Sequence, residues 1–259
     1  MQDHDLFDKT ALLCKANKIV NYLKPILSKI NMNYSLKKVR KKAMKEDNDL
    51  FSYPFRFIST IITKWLLKTN ITPTTVTIIH VIIGIIASIL FGFGQYNLTI
   101  IASILFTISF ILDMVDGEIA RYKEITSKIG GWLDHITDHM LLLFAMVGIA
   151  LGNFSNTNDN EILILALFAS IFTAMVAIIV IGKVIDPKLN QLKAVRLPFG
   201  FKMSKKIHLG SFTISFLVLT IGALLKQEKI MFYIYIIMIV LMVIKAFTHR
   251  IKLMQIDCE

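Results

Sequence analysis

Six long apolar stretches constrain what this chain can fold into more than any other feature of its sequence. A helix needs about 17 to 25 apolar residues to cross the hydrocarbon core of a membrane. The stretches comprise residues 75–93, 97–115, 131–152, 162–182, 209–225 and 230–247. Because lipid offers backbone groups no hydrogen-bond partner, each crossing segment has to be helical. The sequence therefore predicts an all-α membrane protein with six transmembrane helices.

The positive charge of the chain follows the same pattern. Its 29 Lys and Arg outnumber its 18 Asp and Glu, a balance that is also typical of nucleic-acid-binding proteins. Here the basic residues concentrate in alternate connections, and the connections between those carry only Lys226 and Lys229. Basic loops mark the cytoplasmic face of a membrane protein. We therefore predict that both termini are cytoplasmic and that nucleic acid is not a partner.

The chain divides into four parts, of which one is the membrane domain. Residues 1–50 are polar and basic, which predicts a cytoplasmic extension drawn to anionic lipid. Residues 51–72 carry apolar side chains at helical spacing with basic residues among them, which predicts an amphipathic helix in the membrane interface. Residues 73–250 form the six-helix domain, and residues 251–259 form a cytoplasmic tail.

Four aspartates lie in or directly beside the second and third apolar stretches. Asp113 and Asp116 are three residues apart, and Asp134 and Asp138 are four residues apart. On helices these spacings separate the members of each pair by only about 60° and about 40°. A carboxylate inside a membrane costs about 2.5 to 3.5 kcal/mol on insertion scales and usually marks a functional site. Since the short connection allows antiparallel helices, we expect both pairs to converge on one cavity at the cytoplasmic face.

Four converging carboxylates require positive charge between them, because they otherwise repel one another. Oxygen ligands are those that Mg²⁺ and Mn²⁺ prefer. The pattern therefore predicts two divalent metal ions, an arrangement typical of displacement at phosphorus. Gly117 and Gly130 leave space beside the carboxylates for a diphosphate, and Arg121 offers a fork-shaped donor for phosphate.

The spacing of these residues resembles the signature of a known enzyme family. The chain reads Asp113-x-x-Asp116-Gly117-x-x-Ala120-Arg121, then eight residues, then Gly130-x-x-x-Asp134-x-x-x-Asp138. Each specified position matches the CDP-alcohol phosphotransferase (CDP-alcohol phosphatidyltransferase) family. The resemblance implies a membrane enzyme that transfers a substituted phosphate, such as phosphatidyl, from a CDP-linked donor to an alcohol acceptor and releases CMP. It also implies a homodimer and a function in phospholipid or polyol-phosphate biosynthesis.

The resemblance further implies roles for individual residues. Asp138 would be the general base that deprotonates the acceptor hydroxyl. The residues implied in binding the two metal ions are Asp113, Asp116, Asp134 and Asp138. Those implied in binding CDP are Gly117, Ala120, Arg121, Gly130, Pro73 and Thr77. The last two belong to a segment similar to the family pattern Thr-Pro-Asn-x-x-Thr, from which Thr74 departs.

Two basic residues outside the signature are candidates for binding the acceptor. Lys183 and Arg196, in and near the basic connection after the fourth stretch, are candidates for binding the phosphate of an acceptor such as inositol phosphate or glycerol phosphate. The positive-inside pattern alone also accounts for them. The stretch Arg56-x-x-Ser59 is similar to family branches that include di-inositol-phosphate-phosphate synthases.

Three histidines within the apolar stretches are interpreted as structural. His80 stands alone in the first apolar stretch, which favours a packed, hydrogen-bonded residue over a metal ligand. His135 and His139 each follow an aspartate by one residue. A helix turns about 100° per residue, so we expect both rings to point away from the carboxylate face.

Two other functions stay open on the sequence. An intramembrane prenyltransferase also uses aspartates, Mg²⁺ and a diphosphate donor, although its motifs usually lie on distant helices. A metal-ion transporter predicts further polar residues along other helices. Release of CMP, prenyl transfer and ion flux distinguish the three.

Overall fold

The computed structural model describes residues 36–43, 50–185, 201–204, 207–209 and 212–256, most of which are helical. A single 3₁₀ turn comprises Leu50–Ser52. The helices are α1 (Leu36–Ala43), α2 (Tyr53–Leu66), α3 (Pro73–Gly92), α4 (Tyr96–Lys123), α5 (Lys128–Thr157), α6 (Asn160–Ile185), α7 (Phe212–Leu224) and α8 (Glu228–Ile256). Strand β1 (Phe201–Ser204) pairs antiparallel with β2 (Ile207–Leu209). The helical fold is as predicted, whereas the hairpin is an addition to the all-α expectation.

The described part of the chain contains four helices that are long and apolar enough to cross a membrane. They cover Pro73–Gly92, Tyr96–Lys123, Ile129–Thr157 and Asn160–Ile178. The fifth predicted stretch, 209–225, begins later than expected, because Leu209 pairs with Phe201 in the hairpin. Helix α7 therefore has 13 residues.

Helices α3 and α5 both begin with a side-chain cap. Thr72 caps α3 by accepting a hydrogen bond of 3.2 Å from the amide of Thr75, and Pro73 occupies the first turn. Ser127 caps α5 in the same way through the amide of Gly130 at 2.9 Å. These caps supply acceptors for amides that have no partner within their own helix.

The outward face of α3 is apolar. Ile78, Ile82 and Ile89 are about half exposed, at 56%, 53% and 58%. The opposite face buries small or polar residues, among them His80 and Gly84. An apolar exterior around a partly polar interior is expected of a helix that faces lipid on one side and neighbouring helices on the other.

Helix α2 also has an apolar exposed face and a polar buried face. It buries Ser59, Thr60 and Thr63, while Phe57 and Trp65 are 56% and 65% exposed. A helix in water buries its apolar side chains instead. The polar face of α2 therefore packs against a polar group inside the bundle, which is described with the site below.

Aromatic rings pack where α2, α4 and α7 meet, next to the aspartates of α4. The rings of Phe110 and Phe216 stack at 4.3 Å between centroids, and Phe55 meets Phe110 edge to face at 5.2 Å. Such pairs contribute about 0.5–1.5 kcal/mol each beyond the burial of their area. They fix the position of α2 relative to α4, on which two of the aspartates lie.

Helices α3 and α5 approach each other closely where α5 carries glycine. A Cβ atom added at Gly152 would lie 2.2 Å from the carbonyl oxygen of Phe91 and 2.8 Å from the amide nitrogen of Gly94. Gly94 itself has a φ of +67°, which glycine adopts without strain. The side chain of Asn156 donates to the Gly94 carbonyl at 2.7 Å and closes this end of the bundle.

Replacing Gly152 by alanine is expected to separate these helices. Overpacking of this kind costs about 1–3 kcal/mol, because the obstructing atoms belong to the backbone. The measurement is the melting temperature of the purified protein in detergent. Gly131→Ala, also in α5 but with nothing within 4 Å of the added Cβ, is the matched control and should not lower the melting temperature. Equal melting temperatures for both variants would show that the contact is not tight.

Candidate active site

The end of α4 and the beginning of α5 form a cavity of about 200 Å³. Three of the predicted metal ligands line it, namely Asp113, Asp134 and Asp138. The other lining residues are Arg56, Phe110, Met114, Gly117, Arg121, His135, His139, Phe212 and Thr213. Carboxylates and guanidinium groups thus share one cavity, and the convergence of Asp113 with Asp134 and Asp138 is as the helical spacing predicts.

The fourth aspartate lies next to this cavity and faces α3. Asp116 is buried, with 5% of its surface exposed, and accepts a hydrogen bond of 2.5 Å from the hydroxyl of Thr77. Its Oδ2 atom is 3.9 Å from Nε2 of His80, which is also 4.0 Å from Oδ1 of Asp113. The side chains of His80, Asp113 and Asp116 each offer one atom within 4.8 Å of the others, so this group can hold a metal ion.

The carboxylates fit a divalent cation for two reasons. Asp113 interacts electrostatically with Asp116, Asp134 and Asp138, so these groups repel one another when ionised. The Oδ1 atom of Asp113 is buried and has no hydrogen-bond partner among the described residues. A buried carboxylate oxygen without a donor is costly, and a hard cation is the partner that oxygen ligands suit.

The interpretation of His80 as a hydrogen-bonded residue is wrong. Its ring is fully buried, and in the described part of the structure neither ring nitrogen has a hydrogen-bond partner. The polar groups next to the ring are the carboxylates of Asp113 and Asp116, and at about 4 Å they are too far from Nε2 for a hydrogen bond. One sequence signal indicated this position: His80 follows Thr77 by three residues, so both lie on one face of α3.

The expectation that His135 and His139 point away from the carboxylates is wrong. Both line the cavity beside Asp134 and Asp138. Nδ1 of His139 contacts the carbonyl oxygen of His135 at 2.7 Å within the helix. An offset of about 100° around the helix axis is too small to remove a side chain as large as imidazole from a cavity this wide.

The residues that the resemblance connects with CDP occupy different surroundings. Gly117 and Arg121 line the cavity, and a Cβ atom at Gly117 would meet the Arg121 guanidinium at 2.9 Å. Thr77 reaches Asp116. Ala120 and Pro73 are half-buried and Gly130 is exposed, and none of these three is among the residues that line this cavity.

Neither acceptor candidate has a described side chain. Lys183 belongs to α6, but its side chain lies outside the described residues. Arg196 lies outside them entirely.

A polar group that spacing alone did not reveal lies where α2 crosses α4. Glu118 is fully buried and accepts hydrogen bonds of 2.7 Å from both Ser59 and Thr63. Nη1 of Arg56 is 3.8 Å from Oε1 of Glu118. Burial lowers the pKa of the Arg56 guanidinium, whereas the carboxylates of Glu118 and Asp113 raise it. Glu118 occupies an unspecified position of the signature, which gave no reason to single it out.

Comparison with known proteins identifies the family. The sequence profile of the CDP-alcohol phosphatidyltransferase family matches residues 70–249. The chain therefore belongs to the CDP-alcohol phosphatidyltransferase family, and it is an integral, multi-pass membrane protein. Membership confirms the resemblance and does not favour a prenyltransferase or an ion transporter.

Curated relatives are similar over part of the chain. A bifunctional IPC transferase and DIPP synthase of Thermococcus kodakarensis is 39% identical over 83 residues, which are 32% of this chain and 18% of that protein. The archaetidylinositol phosphate synthase of Pyrococcus horikoshii is 38% identical over 89 residues, 34% of this chain and 46% of that protein. The chain thus matches less than half the length of these relatives.

A solved structure shares the fold. The crystal structure of Mycobacterium tuberculosis phosphatidylinositol phosphate synthase (PgsA1), with CDP-DAG bound, superposes with a TM-score of 0.54 at 18% sequence identity. The similarity covers 74% of this chain and 94% of that chain. At this identity, the comparison establishes the fold alone.

Proposed function

We propose that the protein transfers a substituted phosphate group from a CDP-linked donor to an alcohol, with release of CMP. One observation carries the proposal. The described cavity combines Asp113, Asp134 and Asp138 with the guanidinium of Arg121, in a member of the CDP-alcohol phosphatidyltransferase family. Carboxylates that hold cations, beside a cation that holds phosphate, are what displacement at phosphorus requires.

The aspartates are proposed to hold two divalent metal ions, Mg²⁺ or Mn²⁺. The ligands are Asp113, Asp116, Asp134 and Asp138. When bound, such ions neutralise phosphate oxygens and stabilise a leaving group. The unpartnered Oδ1 of Asp113 and the mutual repulsion of the carboxylates support this assignment.

Asp138 is proposed to act as the general base. It lines the cavity and is only 8% exposed, so a proton that it takes is shielded from bulk water. Its carboxylate removes the proton of the acceptor hydroxyl as the acceptor oxygen forms a bond to the donor's β-phosphorus. The bond between that phosphorus and the bridging oxygen breaks, and CMP leaves with the bond's electron pair.

The remaining residues of the signature are proposed to bind the CDP moiety. Arg121 pairs with phosphate oxygens, and Gly117 leaves room for them, since a Cβ there would meet the guanidinium. Thr77 orients Asp116 through its hydroxyl. Ala120, Gly130 and Pro73 complete the proposed set.

The substrates are proposed from the relatives. Two of them are named as synthases of inositol phosphate lipids, one archaetidyl and one phosphatidyl, and the latter was solved with CDP-DAG. We therefore propose CDP-diacylglycerol or a similar CDP-lipid as donor and an inositol phosphate as acceptor. Lys183 and Arg196 are candidates for the acceptor phosphate.

The arrangement in the membrane is also a proposal. Helices α7 and α8 complete six transmembrane segments within residues 73–250, and α2 lies in the interface with its exposed Phe57 and Trp65 in lipid. The basic connections support a cytoplasmic position for the aspartates, residues 1–50 and residues 251–259. The functional unit is a homodimer.

Release of labelled CMP tests the function. Purified protein in lipid vesicles receives CDP-diacylglycerol, Mg²⁺ or Mn²⁺, and in separate reactions inositol phosphate, glycerol phosphate, inositol, serine or choline. We expect CMP release that requires the metal and is fastest with inositol phosphate. No CMP with any acceptor, together with prenyl transfer from a prenyl diphosphate or with ion flux, would contradict the proposal.

Thr77→Val is expected to lower this activity by about tenfold to a hundredfold. The variant keeps the shape of the side chain but removes the donor to Asp116, and a hydrogen bond to a charged group contributes about 1.5–3 kcal/mol. Thr77→Ser retains the hydroxyl and should recover most of the activity. If valine is as active as threonine, the hydrogen bond does not orient Asp116.

A further inference from the structure

Arg56 carries a largely buried guanidinium whose donors are not all paired within the described part of the structure. Its Nε and Nη1 atoms are buried and have no hydrogen-bond partner among the described residues. Its side chain is 13% exposed and lines the cavity that contains Asp113 and Arg121. Arginine presents its donors in a fixed fork and stays protonated, so leaving them unpaired is costly.

Glu118 does not satisfy this guanidinium. The distance of 3.8 Å between Nη1 and Oε1 is too long for a hydrogen bond. Each Glu118 oxygen already accepts a hydrogen bond of 2.7 Å, one from Ser59 and one from Thr63. Glu118 therefore compensates the charge of Arg56 at a distance and leaves its donors available to the cavity.

A second guanidinium makes the need for an anion stronger. Arg121 lines the same cavity and is close enough to Arg56 for the two positive charges to repel each other. An anion with several oxygens, placed between the two, would pair with both forks and remove the repulsion. Phosphate has this geometry, whereas a single carboxylate offers only two oxygens.

We propose that Arg56 binds phosphate oxygens of a substrate in this cavity, with Glu118 as the residue that positions its guanidinium. The inference rests on the proposed function, since it assigns a further binding residue to the same site. It adds a contact from α2, which lies before the region that matches the family profile, residues 70–249. The phosphate belongs either to the donor diphosphate or to a phosphorylated acceptor.

Two variants of Arg56 test the proposal. Arg56→Lys keeps the charge that compensates Glu118 but loses the fork, and Arg56→Gln loses both. Lys68→Gln, which removes an exposed cation just after α2, is the matched control. For each protein, the KM values for CDP-diacylglycerol and inositol phosphate, the affinity for CDP with Mg²⁺, and the melting temperature are measured.

Loss of one charge-assisted hydrogen-bonded contact predicts a change of about tenfold to a hundredfold. Weaker CDP binding with a raised donor KM assigns Arg56 to the donor diphosphate. A raised KM for inositol phosphate with unchanged CDP affinity assigns it to the acceptor. Either result in Arg56→Lys, at a wild-type melting temperature, supports the proposal. Lys68→Gln should match the wild type.

One outcome overturns the inference about Arg56, and a second distinguishes its failure from a failure of the proposed function. If Arg56→Lys keeps all affinities and KM values and Arg56→Gln lowers only the melting temperature, Arg56 is a structural partner of Glu118. If the wild type neither releases CMP nor binds CDP, the proposed function fails. The affinities of wild type and Arg56→Lys for inorganic phosphate then test Arg56 by itself, and equal affinities overturn the inference.

Discussion

Replacing Asp138 by asparagine is expected to reduce CMP release by about 10²- to 10⁴-fold, the usual contribution of a general base. Asparagine has nearly the same shape and cannot accept the proton of the acceptor hydroxyl. The variant should fold, because neutralising one of several mutually repelling carboxylates removes a source of instability. The measurements are kcat for CMP release and the melting temperature in detergent.

The matched control for this variant lies at the other end of α5. Asp159→Asn also neutralises an aspartate, but one that forms an ion pair with Lys229 beyond the end of the helix. It should retain the wild-type kcat. Retained activity in Asp138→Asn would remove Asp138 from the role of base, whereas loss in both variants would indicate a general effect of charge.

Asp113→Asn is expected to change stability in opposite directions with and without metal. Without divalent ions, the variant should melt at a higher temperature than the wild type, since Asp113 interacts with three other carboxylates. With Mn²⁺, the wild type should gain stability that the variant lacks, because a ligand that binds only the folded state stabilises it. Melting curves with increasing Mn²⁺ measure both effects.

Direct titration of Mn²⁺ gives the corresponding affinity. We expect Asp113→Asn to weaken binding by more than about tenfold to a hundredfold, the loss typical of groups that merely orient metal ligands. Glu161→Gln, in the exposed pair with Lys229, is the control and should bind as the wild type does. Wild-type affinity in Asp113→Asn would exclude Asp113 as a ligand.

Much of the fold could be predicted because it depends on local sequence. Apolar length predicts where the spanning helices begin to within a few residues, as in α3, which begins at Pro73 where the stretch 75–93 was predicted. It predicts their ends less well, since α4 continues to Lys123 beyond the stretch 97–115. Helical spacing also determines which side chains share a face. The approach of Asp113 to Asp134 and Asp138 required only one further inference, that a short connection brings α4 and α5 together.

The remaining features depend on contacts between elements that are distant in sequence. His80 meets the aspartates only because α3 packs against α4, and Glu118 meets Ser59 only because α2 crosses α4 with its polar face inward. Amphipathic spacing in α2 predicts a helix but not which of its faces is buried. The hairpin likewise depends on pairing between strands, which places Leu209 opposite Phe201 and not in the predicted helix 209–225.

The buried carboxylate of Glu118 also makes the stability of the membrane domain depend on residues that precede it in the chain. Sequence similarity to the family begins at residue 70, yet all the described hydrogen bonds of this carboxylate come from Ser59 and Thr63, before that point. A chain that started at residue 70 would contain the whole signature and leave Glu118 stripped of its donors among apolar helices. Breaking such a buried contact costs about 3–5 kcal/mol. A protein truncated at residue 70, where the match to the family begins, is therefore expected to be unstable.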